Sequence, residues 1–254
     1  MLTPEWPVPA AVRAACSTRD DGGVSVSPSY AAMNLGDHVG DDPRAVAENR
    51  ARFGQLLRAQ PVFLKQVHGW GVARLTAATR DGTEADACWT TERGIACTMM
   101  VADCLPVLLA DRQGRVVGAA HCGWRGLAGQ QAAGAIEALW AGMGPEMNGE
   151  ADYAIAWLGP CIGPDAFEVG PEVRQAFVTG DPQAAACFRP AAAPGKFFAD
   201  LQALARRRLR ALGIHAIHGN DGSAAWCTVS KPSRFFSHRR DRVSGRFAAS
   251  VWLA

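Results

Sequence analysis

No apolar run in this 254-residue chain reaches the roughly 18–20 residues of a membrane-crossing helix, so bilayer-spanning roles drop out. The first 23 residues lack a basic start followed by an apolar segment; a signal peptide is therefore not expected, and the cytoplasm is the expected compartment. Charge of one sign is also missing. The formal net charge is +2, from 26 basic and 24 acidic side chains, which leaves no global drive toward nucleic acid or an anionic membrane. No C-x-x-C pair exists, which removes zinc ribbons and thioredoxin-type sites. There are no 20–50-residue repeats and no heptads. The eight cysteines are scattered along a long chain with no export signal, so most read as reduced core thiols rather than a disulfide framework.

What remains is an ordinary globular composition, 48% hydrophobic and 20% charged, with length enough for a substantial core. Asp42 before Pro43 predicts a helix start, and Val46, Phe53 and Leu57 carry helical spacing toward a stop near 59–61. Residues 61–67 read as a strand with 71–78 as its partner, and 95–104, 106–111 and 114–121 as interior strands. Residues 126–142 read as one alanine-rich helix, 153–159 as a buried strand, 170–178 as a helix. Residues 200–213 predict an amphipathic helix capped by Asp200, with Leu201, Leu204, Leu209 and Leu212 inward, arginines 206, 207, 208 and 210 on a solvated face, and Gly213 as the stop. Short strands at 214–219 and 246–254 follow. Strands and helices intermix without regular alternation, which predicts one α+β domain over residues 1–254, with two packed mixed sheets.

Cys104 closes one apolar run, His121 closes the next, and His68 follows "FLKQV". All three read as strand ends, and neighbouring strands about 5 Å apart can bring such ends together. Gly69 and Gly123 leave room beside them. Thiolate and imidazole are favoured zinc ligands that also suit copper, and three protein ligands leave one position for water or substrate. The same residues allow Cys104 to act as a nucleophile with His121 as its base. Both readings need a thiolate, and residue spacing does not separate them.

The blocks "STRDDGGVS", "MNLGDHVGDDPRAVAENR", "KQVHG", "EADACWTT", "MMVADCLPVLL", "AAHCGWRGL", "GPCIGPDAFEVGPEV" and "FFSHRRDRVSGR" occur in that order. In them the chain resembles the family variously called multicopper polyphenol oxidase-like, laccase-domain or peptidoglycan-editing-factor proteins, whose members are described as zinc-dependent purine nucleoside phosphorylases. The resemblance runs from about Ser17 to Arg246 and is thinnest across 180–200. It implies a mixed β-sandwich flanked by helices, and His68, Cys104 and His121 as metal ligands and catalytic centre. It also implies zinc, with copper as the alternative, and phosphorolysis of adenosine, inosine, guanosine or methylthioadenosine. Adenosine deamination at the same centre is implied as well. A phenol oxidase would need several histidine-rich copper sites, whereas this chain has six histidines and no H-x-H pair. A cell-wall precursor-editing hydrolase using Cys104 and His121 is the other alternative, because a related toxin fold uses such a pair.

Around this centre, Arg19, Asn34, Gln66, Arg125 and Arg239 are the expected contacts to purine nucleoside and phosphate. Arg19 and Asn34 lie in loops expected to cover the pocket. Gln66 would share a strand face with His68, and a guanidinium forks onto phosphate. Asp103 is the candidate carboxylate partner of a ligand histidine. The short basic-aromatic stretch "RFFSHRRD" reads as two core phenylalanines with arginines for a phosphate-bearing ligand, not as a nucleic-acid surface. The oligomeric state is left open.

Overall fold

Strands that are buried along their whole length need cover on both faces, and the computed structural model, which describes residues 1–130 and 133–254, provides it with two stacked sheets between helical layers. A four-stranded sheet has the order β1 (Val12–Cys16), β13 (Phe247–Leu253), β5 (Ile95–Val101), β2 (Gln60–Phe63). A six-stranded sheet has the order β12 (Ala216–Gly219), β8 (Ala154–Leu158), β6 (Leu105–Asp111), β7 (Val117–Cys122), β4 (Ala87–Thr90), β3 (Val72–Arg74). Both are mixed: β2 runs parallel to β5 and β3 to β4, while β6 and β7 are antiparallel. A small sheet of β9 (Glu168–Val169), β10 (Phe188–Pro190) and β11 (Phe197–Ala199) lies apart. This is the α+β sandwich expected.

Period-two alternation assigns the layers. In β5, Cys97, Met99 and Val101 face the six-stranded sheet, meeting Leu108, Val117 and Ala119, while Ala96 and Met100 face α1 (Pro43–Leu57) through Phe53 and Leu57. In β6, Leu105, Val107 and Leu109 turn the other way, onto Ile136, Leu139 and Met143 of α3 (Ala135–Met143) and Leu201, Leu204 and Leu209 of α5 (Leu201–Ala211). The sequence thus buries two layers with one strand, which is why 95–111 reads as nearly continuous apolar residues. Among the described residues, no helix is long and apolar enough to cross a membrane.

The helix starts follow their caps: Asp42 accepts from Arg44 N ahead of Pro43, and Asp200 accepts from Ala203 N. Four local expectations are corrected. The strand from 61 stops at Phe63, because the N–H groups of Val67, His68 and Gly69 go to the Asp86 carboxylate rather than to a ladder. Its expected partner pairs instead with β4, in the other sheet. The single helix over 126–142 is two, α2 (Trp124–Ala128) and α3: Gly129 takes a positive φ and Gly134 packs against the carbonyls of Gly126 and Leu127, so the chain turns between them. Positions 131–132 of that expected helix lie outside the described residues. Of the α5 arginines only Arg210 is exposed. Arg206 donates to the carbonyls of Ile217 and Asn220, Arg207 pairs with Asp181, and Arg208 pairs with Glu137, so these arginines fasten the helix to its surroundings.

Candidate active site

The chain crosses between the sheets at Ala102–Cys104, leaving β5 and entering β6. The crossing is sharp: Asp103 has φ 96°, a conformation rare for a non-glycine residue. Its cost is offset by three anchors. Thr228 Oγ1 donates to Asp103 Oδ1 at 2.6 Å, Arg239 N to Oδ2 at 2.6 Å, and Ile162 N to its carbonyl at 2.9 Å. Cys104 is thereby presented at the open end of the inter-sheet layer. Pairing of Leu105 with Cys122 and of Pro106 with His121 sets the histidine of β7 beside it.

His68 arrives from a third segment, a turn in which it adopts φ 62°. Asp86, fully buried at the start of β4, holds that turn: its carboxylate accepts from Val67 N at 3.2 Å, His68 N at 2.9 Å and Gly69 N at 2.7 Å. The same carboxylate accepts from His121 Nδ1 at 2.9 Å, so one acid fixes both imidazoles, and the Nδ1 proton leaves His121 Nε2 as the free donor atom. The potential ligand atoms of His68, Cys104 and His121 lie within 4.8 Å of one another, and the two rings meet edge-on with centroids 4.8 Å apart. Gly123 closes the floor; a Cβ there would stand 3.0 Å from Cys104 Sγ and 3.2 Å from the His68 ring.

The electrostatics match the geometry. Burial pushes the Cys104 thiol up, but the charge of His121 and hydrogen bonds from His121 and His68 outweigh it and bring it down to about 6. Burial likewise opposes charge on His121, yet the Cys104 thiolate and the bond to Asp86 raise it to about 9. Asp86 is held below the ordinary carboxylate range: its burial is outweighed by the hydrogen bond and charge of His121, helped by the N–H groups of Gly69 and Val67. Without a metal, these shifts favour a thiolate–imidazolium pair. Cys16, Cys97, Cys122 and Cys161 are all pushed up by burial, and Cys187 to about 11. In chelator-stripped protein at pH 7, iodoacetamide should therefore label Cys104 ahead of those five. Its rate should fall with a midpoint near pH 6 as acid converts thiolate to thiol; a midpoint near the ordinary thiol value would contradict the pairing. Peptide mass spectrometry reads both.

The cluster sits in a cavity of about 310 Å³. Met100, Ile162 and Phe167 supply apolar wall; Gln66, Arg239, Arg242 and Arg246 supply polar wall, with His38 and His238. Of the expected contacts, Gln66 lines the cavity, though not from a strand: its amide donates to Met100 O and accepts from Met100 N, both at 2.9 Å. Arg239 also lines it, with Nη1 donating to the carbonyls of Ala166 and Glu168. Arg19 does not line it, because its guanidinium is taken up by the carbonyls of Pro28, Ala31 and Pro232. Asn34 is fully buried behind the wall, where its Oδ1 accepts from Gly36 N and Arg246 N. Arg125 is exposed on α2, stacked on Trp124 at 4.3 Å, and also lies off the cavity. The carboxylate partner of a histidine is Asp86, not Asp103. Its sequence signal was slight, an acid directly before an apolar strand. Arg242 and Arg246 were quoted in the sequence only as part of a block; their signal is position, just ahead of the closing strand.

Residues 13–254 match the family model described as multi-copper polyphenol oxidoreductase laccase. A purine nucleoside phosphorylase of Pseudomonas aeruginosa is 50% identical over 252 residues, covering 99% of this chain and 98% of that one. The Escherichia coli purine nucleoside phosphorylase YfiH is 44% identical, covering 100% and 98%. Among solved structures, a Neisseria meningitidis protein superposes with a TM-score of 0.90 at 43% identity, covering 99% of this chain and 98% of its own.

Proposed function

The chain belongs to the multi-copper polyphenol oxidoreductase laccase family, and from that premise we propose that it is a zinc-dependent purine nucleoside phosphorylase acting on adenosine, inosine or guanosine. The observation that carries the reading is the convergence of two imidazoles and one thiolate at the floor of a cavity with a cationic wall. Relatives at 44–50% identity are named purine nucleoside phosphorylases, which supports it.

The donor set fits zinc: borderline-soft sulfur and nitrogen, three ligands, and a carboxylate fixing one imidazole from behind. A zinc ion held there would supply Lewis acidity and leave one coordination position open. The chain's own residues do the rest. Met100, Ile162 and Phe167 offer an apolar surface for the purine, and the arginines hold phosphate against the sugar. In the reaction, a phosphate oxygen forms a bond to C1′ as the C1′–N9 bond breaks. The bond's electron pair leaves with the purine, which takes up one proton, and ribose 1-phosphate remains. A cavity that keeps an anion beside a sugar developing positive charge lowers that barrier. Deamination of adenosine at C6 would use the same centre with water in place of phosphate.

The copper phenol-oxidase alternative asks for more donors than this single three-residue cluster among the described residues. A hydrolase reading has one specific support, the low thiol of Cys104 paired with a raised His121 and oriented by Asp86. The test is chromatography of inosine and adenosine incubations with and without phosphate. Base and ribose 1-phosphate are expected in equal amounts, only with phosphate, and both should vanish on chelation and return with zinc. Base release indifferent to phosphate would overturn the reading, and turnover that survives chelation would favour the thiol hydrolase.

A further inference from the structure

The cavity wall carries more positive charge than the protein itself neutralises. Asp103 is the one carboxylate among its described lining residues, and both of its oxygens are already occupied, by Thr228 Oγ1 and Arg239 N. Arg239 gives Nη1 to main-chain carbonyls and lies over the Phe167 ring. Arg242 and Arg246 have spare donors as well, and among the described residues neither rests on an aromatic wall. Arg246 directs Nη1 to the Ser244 and Gly245 carbonyls at 2.8 and 3.1 Å, while its Nε and Nη2 meet no protein acceptor among the described residues. The Arg242 guanidinium meets none there either.

Arg246 is also held on a stiff support. Its N–H goes to Oδ1 of Asn34, which is fully buried and in turn bonded to Asp41. Gly36 packs so closely on its stem that a Cβ there would stand 2.8 Å from Arg246 Cγ. Arg246 immediately precedes β13, whose first residue Phe247 pairs with Val101, so it stands at the end of β5, next to the crossing that presents Cys104. Two guanidinium groups with unspent donors at one cavity, one of them half-buried and braced, are a fork for a small, multiply charged oxyanion.

We propose that Arg246 and Arg242 form the seat of a tetrahedral oxyanion, orthophosphate, beside His68, Cys104 and His121. This deepens the phosphorylase reading and rests on it; it also moves the anion contact from Arg19 and Arg125, which lie off the cavity, to residues nearer the loop before the closing strand. The guanidiniums bind the attacking phosphate and keep it charged, while the nucleoside occupies the apolar side.

The test uses zinc-loaded wild type, Arg242→Gln, Arg246→Gln and Arg246→Lys. Initial rates are measured with inosine while phosphate is varied, and equilibrium dialysis measures binding of phosphate alone. In each Gln variant the KM for phosphate is expected to rise roughly 10–100-fold, with zinc content and the KM for inosine changed less than about threefold; Lys at 246 should recover part of the loss. Arg242 is exposed, so its variant reads the seat without a folding penalty. Unchanged phosphate KM and phosphate binding in both Gln variants overturn the seat. If wild type releases no base in a phosphate-dependent way, the phosphorylase reading fails, yet dialysis still decides the seat. A third arm offers inosine 5′-monophosphate: variants that lose affinity for it while phosphate KM stays constant would assign the arginines to a substrate phosphate and overturn the orthophosphate assignment.

Discussion

Cys104→Ser is expected to release the metal and to reduce phosphate-dependent base formation by at least about 10³-fold, because a zinc centre supplies several kcal/mol to a reaction of this type and about 1.4 kcal/mol is tenfold. A serine hydroxyl is nearly isosteric with the thiol but remains protonated near neutral pH and is a poor zinc ligand beside two imidazoles. The fold should hardly notice: Cys104 is half-buried at the end of the inter-sheet layer, and its neighbours Asp103 and Leu105 are anchored independently. The variant should therefore unfold within about 1 kcal/mol of wild type while inductively coupled plasma analysis finds little zinc. Full zinc content with lost turnover would move Cys104 from ligand to nucleophile.

Asp86→Asn should produce the second-largest effect, and it should strike folding and function together. The carboxylate accepts from three consecutive backbone N–H groups and from His121 Nδ1. An asparagine amide can accept at only one of its two ends; the other presents N–H to N–H against Val67 and Gly69 or against His121. A cost of about 2–4 kcal/mol in urea unfolding is expected from buried donors left unpaired. Zinc affinity should fall roughly 10–100-fold as the His68 turn and the His121 ring lose their common anchor. The pH dependence carries its own sign. Asp86 is held below the ordinary carboxylate value in the folded protein, so its contribution is complete above the unfolded value and is lost as pH falls through the folded one. The Asn variant should lack that part of the acid-side decline.

Cys104 and His121 were readable because a thiol or an imidazole at the edge of a wholly apolar run is costly to place there without a purpose, and both runs proved to be interior strands. His68 was readable for the opposite of the stated reason. It belongs to no strand end; the turn that carries it is shaped by an acid 18 residues later in the chain, and that pairing exists only once β4 lies against β7. Nothing in local periodicity reports a side chain that replaces ladder partners, which is why Asp86 went unnoticed and the strand at 61 was drawn too long. Arg19, Asn34 and Arg125 lie off the cavity for a related reason. Loop arginines and asparagines have the chemistry of ligand donors, but main-chain carbonyls and the Trp124 ring satisfy it first. The layers were easier to foresee, since the unbroken apolar runs of β5 and β6 mark strands covered on both faces.

X-ray absorption at the zinc edge of the purified, zinc-loaded protein tests the central geometry most directly. One sulfur at about 2.3 Å with two imidazole nitrogens at about 2.0–2.1 Å is predicted, the sulfur shell vanishing in Cys104→Ser. A shell of nitrogen and oxygen alone in the wild type would contradict the assignment of these three residues to one ion.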